Sequence, residues 1–158
     1  MKTNLREWLT QSSNIEPDVH VEKDDDLVER SLKAFEYLRA FDTLNKNRVK
    51  EAHRELMEGR QPSIAGEFRD NQVRIGDRTG TLPEKINFKM NTLLMSHKQP
   101  ETGVQALDWH IDFEQIHPFA DGNGRIGRIL YLWHCDKANI EPMNLGGDNR
   151  QAYYDLFP

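Results

Sequence analysis

His117-Pro118-Phe119-Ala120-Asp121-Gly122-Asn123-Gly124-Arg125-Ile126-Gly127-Arg128 reads as a loop running into a helix, with a base, a carboxylate, loop glycines and two arginines close together. Apolar residues at Ile126, Ile129, Leu130 and Trp133 fall three or four apart, which predicts a helix from near Gly124 or Arg125 to Asn139. The first amides of a helix lack intrahelical partners and the helix dipole is positive there, so an anion such as a diphosphate is favoured. Gly122 and Gly124 are expected to supply the positive φ and close backbone approach of an anion-cradling loop, with Asn123 as a tolerant residue between them. Arg125 and Arg128, three apart, are expected on neighbouring turns of one face, holding successive phosphates. Asp121 is placed to bind Mg²⁺ (or Mn²⁺), a hard cation that takes one or two carboxylates with phosphate oxygens and water. His117 is suited to accept a proton near neutral pH.

The same residues resemble the signature of Fic domains, HPFx(D/E)GNGRxxR, and meet it at every specified position. The resemblance extends upstream through Trp109-His110-Ile111-Asp112-Phe113-Glu114-Gln115-Ile116, similar to the helix before the signature. It also takes in Gly66-Glu67-Phe68-Arg69 with Val73-Arg74-Ile75, similar to the lead-in of a β-hairpin flap. The implied fold is mainly α, a compact Fic-type helical domain with a small β-hairpin. The implied activity is that of a protein adenylyltransferase: AMP passes from ATP to a Tyr, Ser or Thr hydroxyl of a target protein and pyrophosphate leaves. On that resemblance His117 takes the acceptor proton and Asp121 carries the metal beside the leaving pyrophosphate. Asn123, the amides around Gly122 and Gly124, and Arg125 stabilise the phosphates, and Arg128 holds the γ-phosphate. Val73, Arg74 and Ile75 belong to the flap, which pairs with the main chain of a target segment and presents its hydroxyl to His117. The Doc-like branch, which phosphorylates its target, carries a lysine where this chain has Gly124, so the glycine favours AMP transfer. The base pocket is not contained in the signature, which leaves another nucleotide or a phosphocholine donor open, along with self-modification and homo-oligomer formation.

Near the N-terminus, Gln11-Ser12-Ser13-Asn14-Ile15-Glu16 places Ser12 and Glu16 four apart, on one side of a helix expected over about residues 4–16. It resembles the inhibitory helix of self-restrained Fic proteins, (S/T)xxx(E/D)(G/N), in which the acidic residue pairs with the second signature arginine, here Arg128. Pro17 departs from the final position of that pattern. Proline can end a helix, and it can equally swing Glu16 out of line. Two alternatives accompany this reading: an enzyme that uses Glu16 to activate water and remove AMP, and a nucleotide-binding regulatory module without transfer activity.

The 158 residues are expected to form one domain over 1–158. Charged residues make up 30% of the chain and the net charge is −5, which argues against general binding to nucleic acid or anionic membrane. Cys135 is the only cysteine, so no internal disulfide forms, and it reads as a packing residue. With no membrane-length apolar run and no signal-peptide core in Met1 to Trp8, the expected location is cytoplasmic, delivery to another cell staying open.

Elsewhere the acidic run Glu22-Lys23-Asp24-Asp25-Asp26 reads as a cap before a helix carrying Leu27, Ser31, Ala34, Phe35, Leu38 and Phe41. Another helix follows through Val49, Ala52, His53, Leu56 and Met57, ended by Gly59, with His53 expected as a hydrogen-bonded core residue. The flap is expected over about 73–82, then a helix from near Pro83 with Ile86, Met90, Leu93, Leu94 and His97. Val104, Leu107, His110 and Ile111 form an apolar stripe on the helix before the signature, with His110 supporting the site. His134 and Cys135 lack zinc-ligand spacing. After Asn139, Asp148 is expected to cap a last short helix with Ala152, Tyr153 and Leu156. In related proteins the residues after the signature helix line the adenine pocket, which makes Asn144, Leu145, Tyr153 and Tyr154 candidates here.

Overall fold

The computed structural model of the chain describes residues 1–13, 15, 25–96, 99–146 and 149–157. Among them the order is α1 (Leu5–Ser13), α2 (Asp25–Arg39), α3 (Lys46–Met57), β1 (Arg74–Ile75), β2 (Arg78–Thr79), α4 (Pro83–Ser96), α5 (Gly103–Ile116), α6 (Asn123–Ala138) and α7 (Arg150–Tyr154). The fold is mainly α with one two-stranded antiparallel hairpin, as the signature implies.

The helix after the signature is the axis of the molecule. Every residue of α6 from Arg125 to Cys135 is buried, so the helix is covered on all sides rather than along one stripe. The helices α1, α2, α3 and α5 all pack on it. Trp109, Trp133, Phe35, Phe113, Leu38 and Leu56 lie almost wholly out of solvent around it, each worth about 1.5–3 kcal/mol of burial. Their polar edges are used: Trp133 Nε1 donates to the Leu38 carbonyl at 2.9 Å. Trp8 Nε1 donates to Met143 O at 3.0 Å, and the Met143 amide donates to Tyr131 Oη at 3.0 Å, which fastens α1 to the segment after α6.

Local signals fix the helix ends. Asn45 Oδ1 accepts from the Arg48 amide and Thr102 Oγ1 from the Gln105 amide, capping α3 and α5. Asn139, at φ 54°, closes α6 in the left-handed region. In the hairpin Arg74 faces Thr79 and Ile75 faces Arg78 across a Gly76-Asp77 turn, and the Gly80 amide adds a bond to Val73 O.

Several boundaries differ from the sequence expectation. The helix α6 begins at Asn123, one residue earlier than expected, because Gly122 takes the left-handed cap. The helix α1 ends at Ser13, and Ile15 follows in a turn whose amide reaches back to Ser12 O. Phe41 lies beyond α2 and sets its ring edge against Tyr37. Val104 is 69% exposed, because α5 turns Ala106, Trp109, His110, Phe113 and Glu114 inward instead. Asn14, Glu16, Pro17, the Glu22 to Asp24 part of the acidic run, His97, Gly147 and the expected cap Asp148 lie outside the described residues. No helix among the described residues is long and apolar enough to cross a membrane.

Candidate active site

The loop between α5 and α6 is held by its own backbone and by three side chains. His117 closes α5 in the left-handed region, φ 52° and ψ 63°, its amide donating to Phe113 O at 3.0 Å. Glycine usually takes that cap, and a histidine held there is strained backbone of the kind found at functional sites. Two residues later Phe119 stacks on His53 with ring centroids 3.7 Å apart and planes 3° from parallel. The His53 ring is fixed in one tautomer: Nδ1 accepts from the Gly66 amide, so Nε2 donates to the Asp121 carbonyl, each at 2.9 Å. Asn123 grips Phe119 from the other side, its Oδ1 accepting from the Phe119 amide and its Nδ2 donating to the Phe119 carbonyl, both at 2.8 Å.

These contacts revise the expected parts of the GNG turn. Only Gly122 needs a positive φ, at 77°, while Gly124 lies inside α6. Asn123 is 2% exposed, and both ends of its amide hold the loop rather than facing an incoming anion. A Cβ on Gly122 would also stand 2.8 Å from Met57 Sδ and 3.3 Å from His53 Nε2. Gly122→Ala is therefore expected to lower unfolding stability by about 2 kcal/mol, left-handed strain adding to a crowded contact, measurable as an earlier urea midpoint. An unchanged midpoint would show that the turn relaxes.

A cavity of about 610 Å³ opens in front of this loop. His117 and Glu114 line it from α5, Gly124 and Arg128 from the first turns of α6, and Ile75 to Arg78 from the hairpin. Tyr153, Tyr154 and Phe157 form an aromatic wall, with Ile15 beside them. Arg128 is 2% exposed; its Nε donates to Ser12 Oγ at 2.8 Å, and its guanidinium lies 5.9 Å from the centre of the Tyr153 ring. The Tyr153 hydroxyl shares a 2.9 Å hydrogen bond with His110 Nε2, and the Tyr154 hydroxyl donates to Ile15 O at 2.8 Å. The two arginines do not share one lining: Arg125 sits by Asp121, Nη2 to Oδ1 4.0 Å, away from the cavity. Asn144 and Leu145 also stand apart, Leu145 in the core and Asn144 Oδ1 accepting from the Gly146 amide.

Burial pushes the His117 imidazole down to about 4; the Glu114 carbonyl draws it up, and Arg69 and Arg78 lower it further. Its ring is thus neutral at pH 7, the form that accepts a proton. His53 is pushed down to about 4 and His110 to about 3, burial being the main cause in each. Well above pH 6.5 all three are neutral folded or unfolded and contribute nothing to pH dependence. As the pH falls through about 6.5 the unfolded chain binds protons that the folded chain refuses. Stability is expected to fall by up to about 1.4 kcal/mol per pH unit for each histidine until the folded values are reached. Urea midpoints at pH 7.5, 6.5, 5.5 and 5.0 check this; a flat series would contradict the assignment of neutral, desolvated rings.

Two residues near His117 carry no periodic signal. Arg69, 5% exposed, donates to carbonyls on both sides of the hairpin and to His117 O, a set of partners far apart in sequence. Glu114 places Oε2 3.8 Å from His117 Nδ1, and Gly127 is a glycine because a Cβ there would collide with the Glu114 carboxylate. The three-residue spacing of Glu114 and His117 was the one available cue.

The Fic/DOC family pattern matches residues 43–135, from before α3 into α6. The chain belongs to the Fic/DOC family. It is 32% identical over 112 residues to a protein adenylyltransferase Fic of Nematostella vectensis, covering 66% of this chain and 26% of that protein. A protein adenylyltransferase Fic of Aedes aegypti is 31% identical over 112 residues, covering 68% and 22%. The chain thus spans about a quarter of the length of these curated relatives. Among solved structures, Fic-1 from C. elegans superposes with a TM-score of 0.79 at 20% identity, covering 98% of this chain and 55% of that one. A Fic domain containing signaling protein from Bacteroides thetaiotaomicron gives 0.79 at 18% identity, covering 96% and 69%. At these identities the superpositions speak for the Fic fold. The family match leaves α1, α2 and α7 outside it, although Ile15, just beyond α1, and Tyr153 of α7 both wall the cavity.

The fit of Asp121 to the expected metal can be tested on its contacts. Asp121 keeps its carboxylate half exposed on the loop, Oδ1 accepting from the Gly122 amide at 2.7 Å and Oδ2 from Gln61 Nε2 at 2.6 Å. Each oxygen retains a further lone pair, which fits a hard cation whose remaining ligands are phosphate oxygens and water. Among the described residues no group of three His, Cys, Asp or Glu could hold a metal without them.

Proposed function

We propose that this Fic domain transfers AMP from ATP to a hydroxyl on a target protein, with His117 as the base. The observation that carries the reading is a neutral, partly buried imidazole opening into the same cavity as Gly124 and Arg128 of α6, beneath the hairpin. His117 accepts the proton of the acceptor hydroxyl as its oxygen bonds to the α-phosphorus of ATP; the bond to the β-phosphate oxygen breaks and pyrophosphate leaves. Arg128 and the amides at the start of α6 bind the phosphates, Arg125 steadies the loop carboxylate, and Asp121 would hold Mg²⁺ or Mn²⁺, which would neutralise phosphate charge. The hairpin edge at Val73, Arg74 and Ile75 receives a target segment by main-chain pairing. Tyr153 and Tyr154, with Phe157 beside them, face the cavity and seat the base of the nucleotide.

The same reading includes a restraint. Ser12 already holds Arg128 Nε, and Ile15 is tied to Tyr154, so the end of α1 stands over the cation assigned to the γ-phosphate. On this reading the Glu16 carboxylate competes with the γ-phosphate of ATP for Arg128 and restrains transfer.

Incubation with ATP labelled on the α-phosphate tests the transfer. Protein-bound label should form and depend on His117; label arriving only from the γ-phosphate would make the domain a kinase and overturn the proposal.

A further inference from the structure

Arg69 is a buried cation whose hydrogen bonds reach backbone carbonyls in three separate segments. Its Nη1 donates to Asn71 O at 2.7 Å, just before β1, and its Nη2 to Thr81 O at 2.6 Å, just after β2. Its Nε donates to His117 O at 2.7 Å, and its own amide donates to Pro118 O at 3.0 Å. Phe68 and Phe119 form a β-bridge beside it, and Gly80 leaves room for the guanidinium. The hairpin itself has only two residues per strand, too few to hold its own place in water. The two flanks of the hairpin are therefore tied, through one planar fork, to the backbone of the residue that bears the base.

We infer that Arg69 is a positioning residue: its guanidinium sets the separation between the hairpin edge that receives the acceptor and the imidazole of His117. This rests on the transferase reading for its consequence in catalysis, whereas the clamp itself is a property of the fold. The guanidinium fork is what the geometry uses. A lysine has the charge but offers its donors from a single point and cannot span Asn71, Thr81 and His117 together. Loss of the fork frees the hairpin without touching the phosphate-binding start of α6. Acceptor use then falls while nucleotide binding survives.

The experiment compares wild type with Arg69→Lys and Arg69→Gln by amide hydrogen exchange, by titration with a non-hydrolysable ATP analogue, and by transfer of α-phosphate label. Exchange at the Ile75 and Gly80 amides should quicken by roughly 10- to 100-fold relative to amides of α6, as expected when several hydrogen bonds of a local unit are lost. Analogue affinity should stay within about twofold, and the turnover of label transfer should fall by about 100-fold, the scale of a misplaced reacting group. Equal quickening of hairpin and α6 amides, in either variant, would show a general role in stability and overturn the inference, as would unchanged hairpin exchange. Hairpin-specific quickening in a protein whose wild type transfers no label would leave the clamp standing and overturn the transferase reading instead.

Discussion

His117→Asn is expected to lower transfer of AMP by about 10²- to 10⁴-fold, the range a positioned general base supplies. Asparagine is the informative replacement because position 117 is left-handed, φ 52°, and asparagine tolerates that region better than alanine does. The carbonyl that accepts from Arg69 and the amide that closes α5 are both backbone groups, so the loop keeps its clamps. Nucleotide binding should therefore hold, since Arg128 and the first turn of α6 are untouched, and the loss should fall on turnover rather than on the KM for ATP. Steady-state kinetics with and without the substitution separate the two. A loss confined to KM would assign His117 to ground-state binding and remove it from proton transfer.

Glu16→Gly is expected to raise transfer by roughly 5- to 150-fold, the span of a coupling of about 1–3 kcal/mol between two competing occupants of one cation. The physical ground lies in the contacts of Arg128, Ser12 and Ile15. Arg128 is almost fully buried and bonded to Ser12, the Tyr154 hydroxyl holds Ile15, and both tyrosine and arginine line the cavity. A guanidinium engaged by a carboxylate is unavailable to a γ-phosphate, which is the competition proposed for Glu16. Ser12→Ala should give a smaller rise in the same direction, because it removes one neutral hydrogen bond rather than a charge. Label transfer and ATP affinity measured on both variants decide the matter. Equal activity in wild type and Glu16→Gly would remove the restraint.

Much of this architecture was legible because its signals are local. The periodic run from Ile126 to Trp133 marks α6, and Asn139, where that run stops, is the left-handed residue that closes it. His53 was legible as a core histidine because it sits on the apolar face of α3, though its hydrogen bond to Asp121 O, 68 positions away, was not. The glycine pair in the signature looked symmetrical, yet only Gly122 is left-handed. The chain turns into α6 at once, and Asn123 is spent on gripping Phe119.

Other features are tertiary facts that no local pattern records. Arg69 reaches a carbonyl 48 positions away, and a lone arginine in a loop carries no mark of that. Val104 fits the helical stripe by spacing but overhangs the first turn of α5, where no neighbour covers it among the described residues. The separation of Arg125 from the cavity follows from the depth at which α6 is buried. Once helices enclose it on every side, two residues three apart meet different neighbours, Asp121 for one and Ser12 for the other.

The identity of the transferred group is the most direct test. Intact-mass spectrometry of protein incubated with ATP and Mg²⁺, using the Glu16→Gly variant alongside wild type, reads that group without a label. A mass gain of one AMP per modified hydroxyl, absent in His117→Asn, is the predicted result. A gain of phosphate alone, or AMP addition that survives His117→Asn undiminished, would contradict the account.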